Sequence, residues 1–318
     1  MALKTKNKIT WWNYTRADTD IYFKNYADQG GFGRFNHARE PVPIDNQTVI
    51  GMNRDTLYSI GVFDLSNPVT ITLPDSGKRF ISMQVLNEDQ YTKMVVYDPG
   101  PYTLTQDKIG TRYVCAIIRT LVDPTNAADV KQVHELQDKI AVSQASPGKL
   151  EIPNWDQDEL ARMRDAINVL AATMKDSIGM FGDEDEVDPV KFLMGCALGW
   201  GGNPAYAATY LTIFPEGNDG KTPFTLTLKD VPVDGFWSVS VYNAKRFFEE
   251  NQYQAYSINS VTAKKSADGS VTLHFGGDPD QPNFLYIMPG WNYIVRFYRP
   301  RKEILDGKYS FPEVQPVT

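Results

Sequence analysis

Cysteine is nearly absent from this sequence: Cys115 and Cys196 are the two in 318 residues. That excludes a disulfide framework and any zinc cluster of the C-x-x-C kind. Cys115 lies in the apolar run Tyr113-Val114-Cys115-Ala116-Ile117-Ile118, and Cys196 in a helix-like stretch. Both read as small buried hydrophobes. Histidine is as scarce, and His37, His134 and His274 lie so far apart that only the fold could gather them around a metal. No apolar run reaches the roughly 20 residues that cross a bilayer. The opening MALKTKNKITWWNYTRADTD has no apolar centre of the signal-peptide type. A cytoplasmic location without membrane association is the expectation.

Positive charge is also in short supply. Thirty-two basic side chains face 39 acidic ones, a net charge of −7. No Lys/Arg-rich stripe offers a phosphate backbone a basic face, so nucleic acid is excluded as a partner. The sequence has no G-x-S-x-G elbow, P-loop or H-E-x-x-H motif. Gly30, Gly31 and Gly33 form GGFG, a turn without the preceding strand of a dinucleotide fingerprint. Nothing in the sequence calls for a cofactor. The acidic run Gly182–Asp188 lacks the glycine and distal glutamate of a calcium loop, and reads as a solvated lead into a helix.

What is abundant is aromatic. Seventeen Tyr, 16 Phe and 6 Trp make up 12% of the chain, a composition that fits pleated, half-buried strands. The length is large for one hydrophobic core, so two lobes are expected. After a helix around Arg16–Tyr26 the period changes to two. In Arg79–Leu86, Ile81, Met83 and Val85 face one way, and Ser82 and Gln84 the other. Further strands are expected at Ser59–Asp64, Val69–Leu73, Lys93–Tyr97 and Arg112–Leu121.

Helical periodicity follows. Val130, Val133, Gln137 and Ile140 share one face. Leu160, Met163, Ile167, Leu170 and Met174 form a second stripe, started by Asn154 with Gln157 in capping-box spacing. Asp188-Pro189 opens a third helix, which Gly199 stops. Strands return from Pro223. The expected division is 1–122, 123–199 (helical) and 200–318, with the β lobes themselves spanning Thr48–Val122 and Trp200–Thr318.

The two β segments resemble each other. PVTITLPDSGKRFISMQVLN (Pro68–Asn87) and PFTLTLKDVPVDGFWSVSVYN (Pro223–Asn243) share nine identities once one residue is inserted before Phe236, among them Ser82 with Ser238 and Asn87 with Asn243. Tyr113-Val114 and Arg119 also match Tyr293-Ile294 and Arg299 at equal spacing. Alternation alone does not dictate identities at Pro, Asp and Asn, so a duplication is expected, with equal strand orders in the two lobes.

Three phrases carry a family resemblance: Met52-Asn53-Arg54-Asp55-Thr56-Leu57-Tyr58-Ser59, Gly235-Phe236-Trp237-Ser238-Val239-Ser240-Val241-Tyr242-Asn243, and Tyr298-Arg299-Pro300-Arg301-Lys302-Glu303-Ile304-Leu305-Asp306-Gly307. The chain resembles the bacterial family that pairs the domain of unknown function numbered 1254 with that numbered 1214, over roughly 12–122 and 200–316. The resemblance implies two tandem jelly-roll-like β-sandwich lobes with helical elements between them. It carries no catalytic residues across. Many members have a leader peptide, whereas none is expected from the opening residues of this sequence.

Two places offer chemistry. Asn53-Arg54-Asp55-Thr56-Leu57-Tyr58 packs donors, acceptors, a fixed cation and an acid/base into six residues. Arg54 would clamp a carboxylate while Asp55 or Tyr58 moves a proton; the plainer reading is turn and ion-pair contacts. In the second lobe Asn203 corresponds to Asn53, but Pro204-Ala205 stands for Arg54-Asp55, so the charges occur in one copy. The second place is aromatic: Trp200, Trp237, Tyr242 and Trp291, with the amides Asn203 and Asn243, suit a sugar or other amphipathic ligand. Core packing is the alternative. Three functions stay open: a cofactor-independent hydrolase or lyase for a small polar molecule, a non-catalytic carbohydrate or small-ligand module, and a jelly-roll assembly protein. The sequence leaves the oligomeric state open.

Overall fold

A computed structural model describes residues 6–47, 50–174 and 177–317. The expected lobe limits Thr48 and Thr318 lie outside the described residues. The chain forms two compact units, neither continuous in sequence. The first comprises Met1–Arg39, Leu57–Leu121 and Lys131–Ala205; the second comprises Glu40–Thr56, Val122–Val130 and Tyr206–Thr318. The segment leading into the first unit's long opening strand therefore belongs to the second unit, and the one ending at Ala205 belongs to the first.

In the first part of the chain the strands are β1 (Asn36–His37), β2 (Thr56–Asp64), β3 (Val69–Leu73), β4 (Ile81–Asn87), β5 (Thr92–Val96), β6 (Gly100–Leu104), β7 (Tyr113–Leu121) and β8 (Ala141–Gln144). They form one sheet ordered β1-β2-β7-β4-β5 and another ordered β6-β3-β8. Alternation explains their packing. Val69, Ile71 and Leu73 of one sheet share a core with Ile81, Met83, Val85, Val114, Ala116 and Ile118 of the other. The opposite face of β4 and β7 carries Leu86, Tyr113, Cys115 and Ile117, which pack with Phe23 of helix α1 (Tyr14–Tyr26).

The stretch expected to be purely helical also supplies β8, because Val142 alternates with Ala141 and Ser143 and packs against the sandwich core. Helices α2 (Gln106–Ile109), α3 (Ala127–Asp138), α4 (Gln157–Ala171) and α5 (Pro189–Leu198) complete this part. The cap of α4 is Asp156, not Asn154: its carboxylate accepts from the amides of Asp158 and Glu159. Asp188 caps α5 and Gly199 follows its last turn, as the sequence indicates. Leu170 stays exposed despite its place in the α4 stripe, and Ile140 falls beyond α3.

The later strands are β9 (Ala208–Ile213), β10 (Phe224–Leu228), β11 (Trp237–Tyr242), β12 (Ser257–Asn259), β13 (Val271–Phe275), β14 (Phe284–Leu285), β15 (Asn292–Tyr298) and β16 (Gln315–Pro316), with α6 (Lys302–Leu305) before the last. Their sheets run β12-β11-β15-β9 and β14-β13-β10-β16. The core joins Phe224, Leu226 and Leu228 to Trp237, Val239, Val241, Tyr293, Val295 and Phe297.

The strand orders of the two sandwiches agree. β2-β7-β4-β5 corresponds in chain order to β9-β15-β11-β12, and β6-β3-β8 to β13-β10-β16. The registers agree as well. Val69 lies opposite Leu104 and Gln144, and Phe224 opposite Phe275 and Pro316. Ser82 lies opposite Arg119, and Ser238 opposite Arg296. Matching Ser82 to Ser238 thus pairs Arg119 with Arg296, three residues before the Arg299 that equal spacing indicates. Arg299 has left the strand, with φ 52°.

Candidate functional site

On β11 the residues Trp237, Val239 and Val241 enter the core, so Ser238, Ser240 and Tyr242 share the opposite face. Arg296 joins that face from β15, beside Ile294 and Asn292. All of these but Ile294 are polar, yet they are buried, which long strands seldom tolerate without partners. In the second unit the segment Glu40–Thr56 supplies main-chain acceptors to two of them, Tyr242 and Arg296.

Arg296 is the hub. Its Nη1 donates to Ser240 Oγ at 3.0 Å, and its Nη2 donates to the Gly51 carbonyl at 2.7 Å, the Met52 carbonyl at 3.2 Å and Tyr242 Oη at 2.7 Å. Tyr242 Oη in turn donates to the Met52 carbonyl at 2.7 Å. Gly51 adopts φ +63°, and a Cβ there would lie 3.0 Å from the Ile294 side chain, so glycine lets the main chain approach β15 closely. Burial acts to lower the Arg296 pKa, but Tyr242, Tyr298 and Asp55 outweigh it and leave the value raised. Burial raises that of Tyr242.

Asp55 is 2% exposed. Ser257 Oγ donates to its Oδ1 at 2.9 Å, and Ser257 also hydrogen-bonds Ser240 at 2.9 Å. The second oxygen of Asp55, Oδ2, has no hydrogen-bond partner among the described residues, and neither does the buried Ser238 Oγ. The main chain of Asp55 is fixed by Asn53, whose Oδ1 accepts from the Asp55 amide at 2.6 Å. Asn53 Nδ2 donates to Thr56 Oγ1 at 3.2 Å and to Tyr298 Oη at 2.9 Å. A chain of hydrogen bonds therefore runs from a buried carboxylate through two serines to a guanidinium. Its carboxylate end can accept one further donor.

Arg54 projects differently from Asp55. It donates to the Val42 carbonyl and lies 5.3 Å from the centre of the Tyr256 ring, and burial lowers its pKa. Tyr58 belongs to the first unit, where its ring lies 5.4 Å from the Arg119 guanidinium. Arg119 repeats the Arg296 arrangement: Nη1 donates to Gln84 Oε1 at 2.9 Å and Asn203 Oδ1 at 3.4 Å, and Nη2 to the Gly201 carbonyl at 3.3 Å. Gly201 too is left-handed, with φ +71°. Gly51-Met52-Asn53 and Gly201-Gly202-Asn203 thus serve corresponding arginines, but Ala205 stands where the second unit has Asp55.

The aromatic candidates divide. Trp237 and Trp291 are core residues, the latter stacked on Phe275 at 5.0 Å, because their strand and turn positions face the inter-sheet layer; they form no exposed platform. Trp200 stacks on Tyr22 at 4.6 Å within the first unit. Tyr242 belongs to the arginine cluster. Asn243 orders the loop after β11, accepting from the amides of Lys245 and Phe247 at 3.0 and 3.2 Å.

The three histidines each hold a local contact: His37 with Ser59, His134 with the Arg39 carbonyl, His274 with the Pro282 carbonyl. In the acidic run, Asp183 binds Lys93 at 2.6 Å and Asp188 caps α5. Among the described residues no group of three or more His, Cys, Asp or Glu side chains is placed to hold a metal ion. None of their helices is long and apolar enough to cross a membrane.

Arg119, Arg296 and Ser257 were missed at the sequence level. The signal for Arg296 lies in the alternation itself: in Asn292–Tyr298 the guanidinium stands on the face opposite Tyr293, Val295 and Phe297, in a strand buried throughout.

The fold and cluster define a class: a protein of two β-sandwiches, each with an arginine on its central strands holding a glycine–asparagine segment. Family models place it further. Protein of unknown function (DUF1254) matches residues 32–107, and Protein of unknown function (DUF1214) matches 208–302. The chain belongs to the family that pairs these two domains. It is similar in structure to the VPA0106 protein from Vibrio parahaemolyticus, with TM-score 0.75 and 19% identity over 97% of this chain and 98% of that one. A putative uncharacterized protein from Burkholderia cenocepacia gives TM-score 0.51 and 11% identity over 96% of this chain and 86% of the other. These likenesses concern the fold. No curated protein matches the chain in sequence.

Proposed function

We propose that the second unit handles a small polar molecule at the Asp55–Ser257–Ser240–Arg296 cluster, with Asp55 as the proton acceptor. The observation that carries this reading is the buried Asp55 Oδ2, which has no hydrogen-bond partner among the described residues, at the end of a hydrogen-bonded path through Ser257 and Ser240 to Arg296. A buried carboxylate oxygen without a donor costs free energy unless a ligand or proton meets it. Ser238 Oγ, on the same face of β11, adds a second group able to meet a hydroxyl or amine. The chemistry that fits is proton abstraction or hydrolysis without a nucleotide cofactor. Arg54, with its guanidinium over Tyr256, is the anion-binding group of the same unit.

The equal strand orders and registers support a duplication, in which Asp55 of the first repeat acts on the arginine of the second unit while Ala205 stands at the matching position of the second repeat. A structural reading has its own support. Arg296 spends its Nη2 donors on Gly51, Met52 and Tyr242, so its own role is to position the segment that carries Asp55. The two readings separate at Asp55. A thermal-shift screen of small hydroxy acids, sugar acids and amino alcohols, run on the full chain and on Asp55→Asn, tests them. At least one compound class is expected to raise the midpoint of the wild type and not of the variant. Equal responses, or none in the wild type, would leave the cluster a purely structural device.

A further inference from the structure

Large apolar side chains on a surface cost solubility, and tryptophan is the largest of them. In the first unit Trp11 and Trp12 are 65% and 81% exposed. They do not sit on a loose tail. Ile9 before them and Tyr14 after them are buried in one core with Ala17, Leu160 and Ile167. The Ile9 amide donates to the Glu159 carboxylate of α4 at 3.0 Å. Asn13 closes the turn between these anchors. Its Oδ1 accepts from the Thr10 amide at 2.8 Å, its Nδ2 donates to the Lys8 carbonyl at 3.1 Å, and its own amide donates to the Thr10 carbonyl at 3.2 Å. A turn fixed at both ends therefore holds two indoles out in solvent, edge to face, with ring centres 5.3 Å apart.

The geometry of the pair narrows what it can meet. Rings at 90° share no common flat face of the kind on which a sugar ring stacks. With about 250 Å² per indole, the exposed fractions amount to roughly 370 Å² together. That is less than half of the roughly 800 Å² that each side of a stable protein pair buries. A bilayer surface asks for less area: amphipathic rings enter the headgroup layer and stop there. Charge agrees with that occupant. From Met1 to Ala17 the chain has Lys4, Lys6, Lys8 and Arg16 and no acid, in a protein of net charge −7. Lys6 is engaged with Asp156 and Asp158, and Arg16 with Asp89, whereas Lys8, whose carbonyl holds the turn, is exposed.

We infer that the Thr10–Asn13 turn docks the protein on a phospholipid bilayer, with Trp11 and Trp12 entering the headgroup layer and the lysines of the same segment favouring anionic lipid. None of the described helices is long and apolar enough to span a bilayer, so the attachment is peripheral. Its parts divide the work. The indoles supply affinity by removing apolar surface from water, and their N–H groups stay at headgroup level, where acceptors are plentiful. Lys4 and Lys8 add attraction to a negative surface, which salt screens. Two side chains at this depth give weak, reversible binding, as a single acyl chain does.

The test mixes the full chain with unilamellar vesicles of phosphatidylcholine alone, or of phosphatidylcholine and phosphatidylglycerol in equal parts, and reads co-sedimentation and tryptophan emission. Saturable binding to the mixed vesicles is expected, weaker on phosphatidylcholine alone, with a blue shift of the emission. Trp11→Ala or Trp12→Ala should each weaken binding about tenfold, and the double variant should lose both binding and blue shift. Lys4→Gln combined with Lys8→Gln should remove most of the preference for the anionic mixture. Both rings are exposed, so the tryptophan variants should melt with the parent chain, which separates lost docking from lost folding. No binding to either vesicle, or binding unchanged in the double tryptophan variant, would overturn the inference. So would self-association that the tryptophan variants abolish while vesicles have no effect, since the turn would then serve a second copy of the chain.

Discussion

Replacing Arg296 by Met keeps much of the stem and removes the guanidinium, and the cost can be worked from its contacts. The Gly51 and Met52 carbonyls, Ser240 Oγ and Tyr242 Oη all lose a charged donor, and Asp55 loses a cation whose charge it feels. Hydrogen bonds to charged groups are worth about 1.5–3 kcal/mol each. They do not add, because Tyr242 already donates to Met52 and the segment relaxes once released. Removing one side of a buried charged network typically costs about 3–5 kcal/mol, which is the expectation here. At roughly 2–4 °C per kcal/mol for a unit of this size, the calorimetric midpoint of the second unit should fall by about 10 °C. Hydrogen exchange locates the effect: protection should drop first in Gly51–Thr56 and at β11, before the inter-sheet core. Arg296→Lys keeps the charge but not the planar fork, and should recover only part of the loss. Asp55→Asn combined with Arg296→Met should cost less than the two separately, because the double variant leaves no buried charge without its partner. A loss under about 1 kcal/mol, or unchanged exchange in the 51–56 segment, would refute the hub role of Arg296.

Other outcomes follow from single sites. Gly148→Ala should destabilise the first unit by roughly 2–4 kcal/mol, because Gly148 has φ +69° and a Cβ there would stand 2.4 Å from Asp64 Oδ2; denaturant titration measures it. Burial opposes the charge of Asp64, but hydrogen bonds from Arg112, Ser66 and the Lys149 amide outweigh it and hold its pKa well below the carboxylate range. Its stabilisation is complete above pH about 4 and lost as the pH falls through the depressed folded value. Asp64→Asn should therefore flatten the acid limb of a pH–stability profile. Burial pushes both cysteine thiols well above their ordinary pKa, so a thiol reagent at pH 8 should label neither Cys115 nor Cys196 until the chain unfolds.

Alternation made much of the fold legible. Val69–Leu73 forms a strand over the expected residues, and the inward set Ile81, Met83 and Val85 enters the core as its period requires. Helix boundaries were readable where one residue type dominates, as at the start Asp188-Pro189 and the stop Gly199. They were ambiguous at Asn154 and Asp156, two residues apart and both able to cap; the one whose carboxylate meets two amides prevails. The site was only half legible. Asn53 and Asp55 stood out as a dense polar phrase, but their partners Ser257 and Arg296 are some two hundred residues or more away, and no local pattern encodes that pairing. Equal spacing misplaced the counterpart of Arg119 by three residues, since Tyr293 lies opposite Val241 as Ala116, not Tyr113, lies opposite Val85, while ladder register keeps Ser82 and Ser238 opposite their arginines. The ligand reading of Trp237 and Trp291 gave way to core packing, because a ring on an inward position of a two-sheet layer has nowhere else to go.

A small polar molecule that meets Asp55 should be found among the compounds the protein carries. Wild-type chain and Asp55→Asn, purified in parallel under native conditions, would be denatured and their released small molecules compared by mass spectrometry. A hydroxyl- or amine-bearing compound is expected to be enriched on the wild type and lost from a variant that remains folded by calorimetry. Identical profiles from the two folded proteins would contradict it.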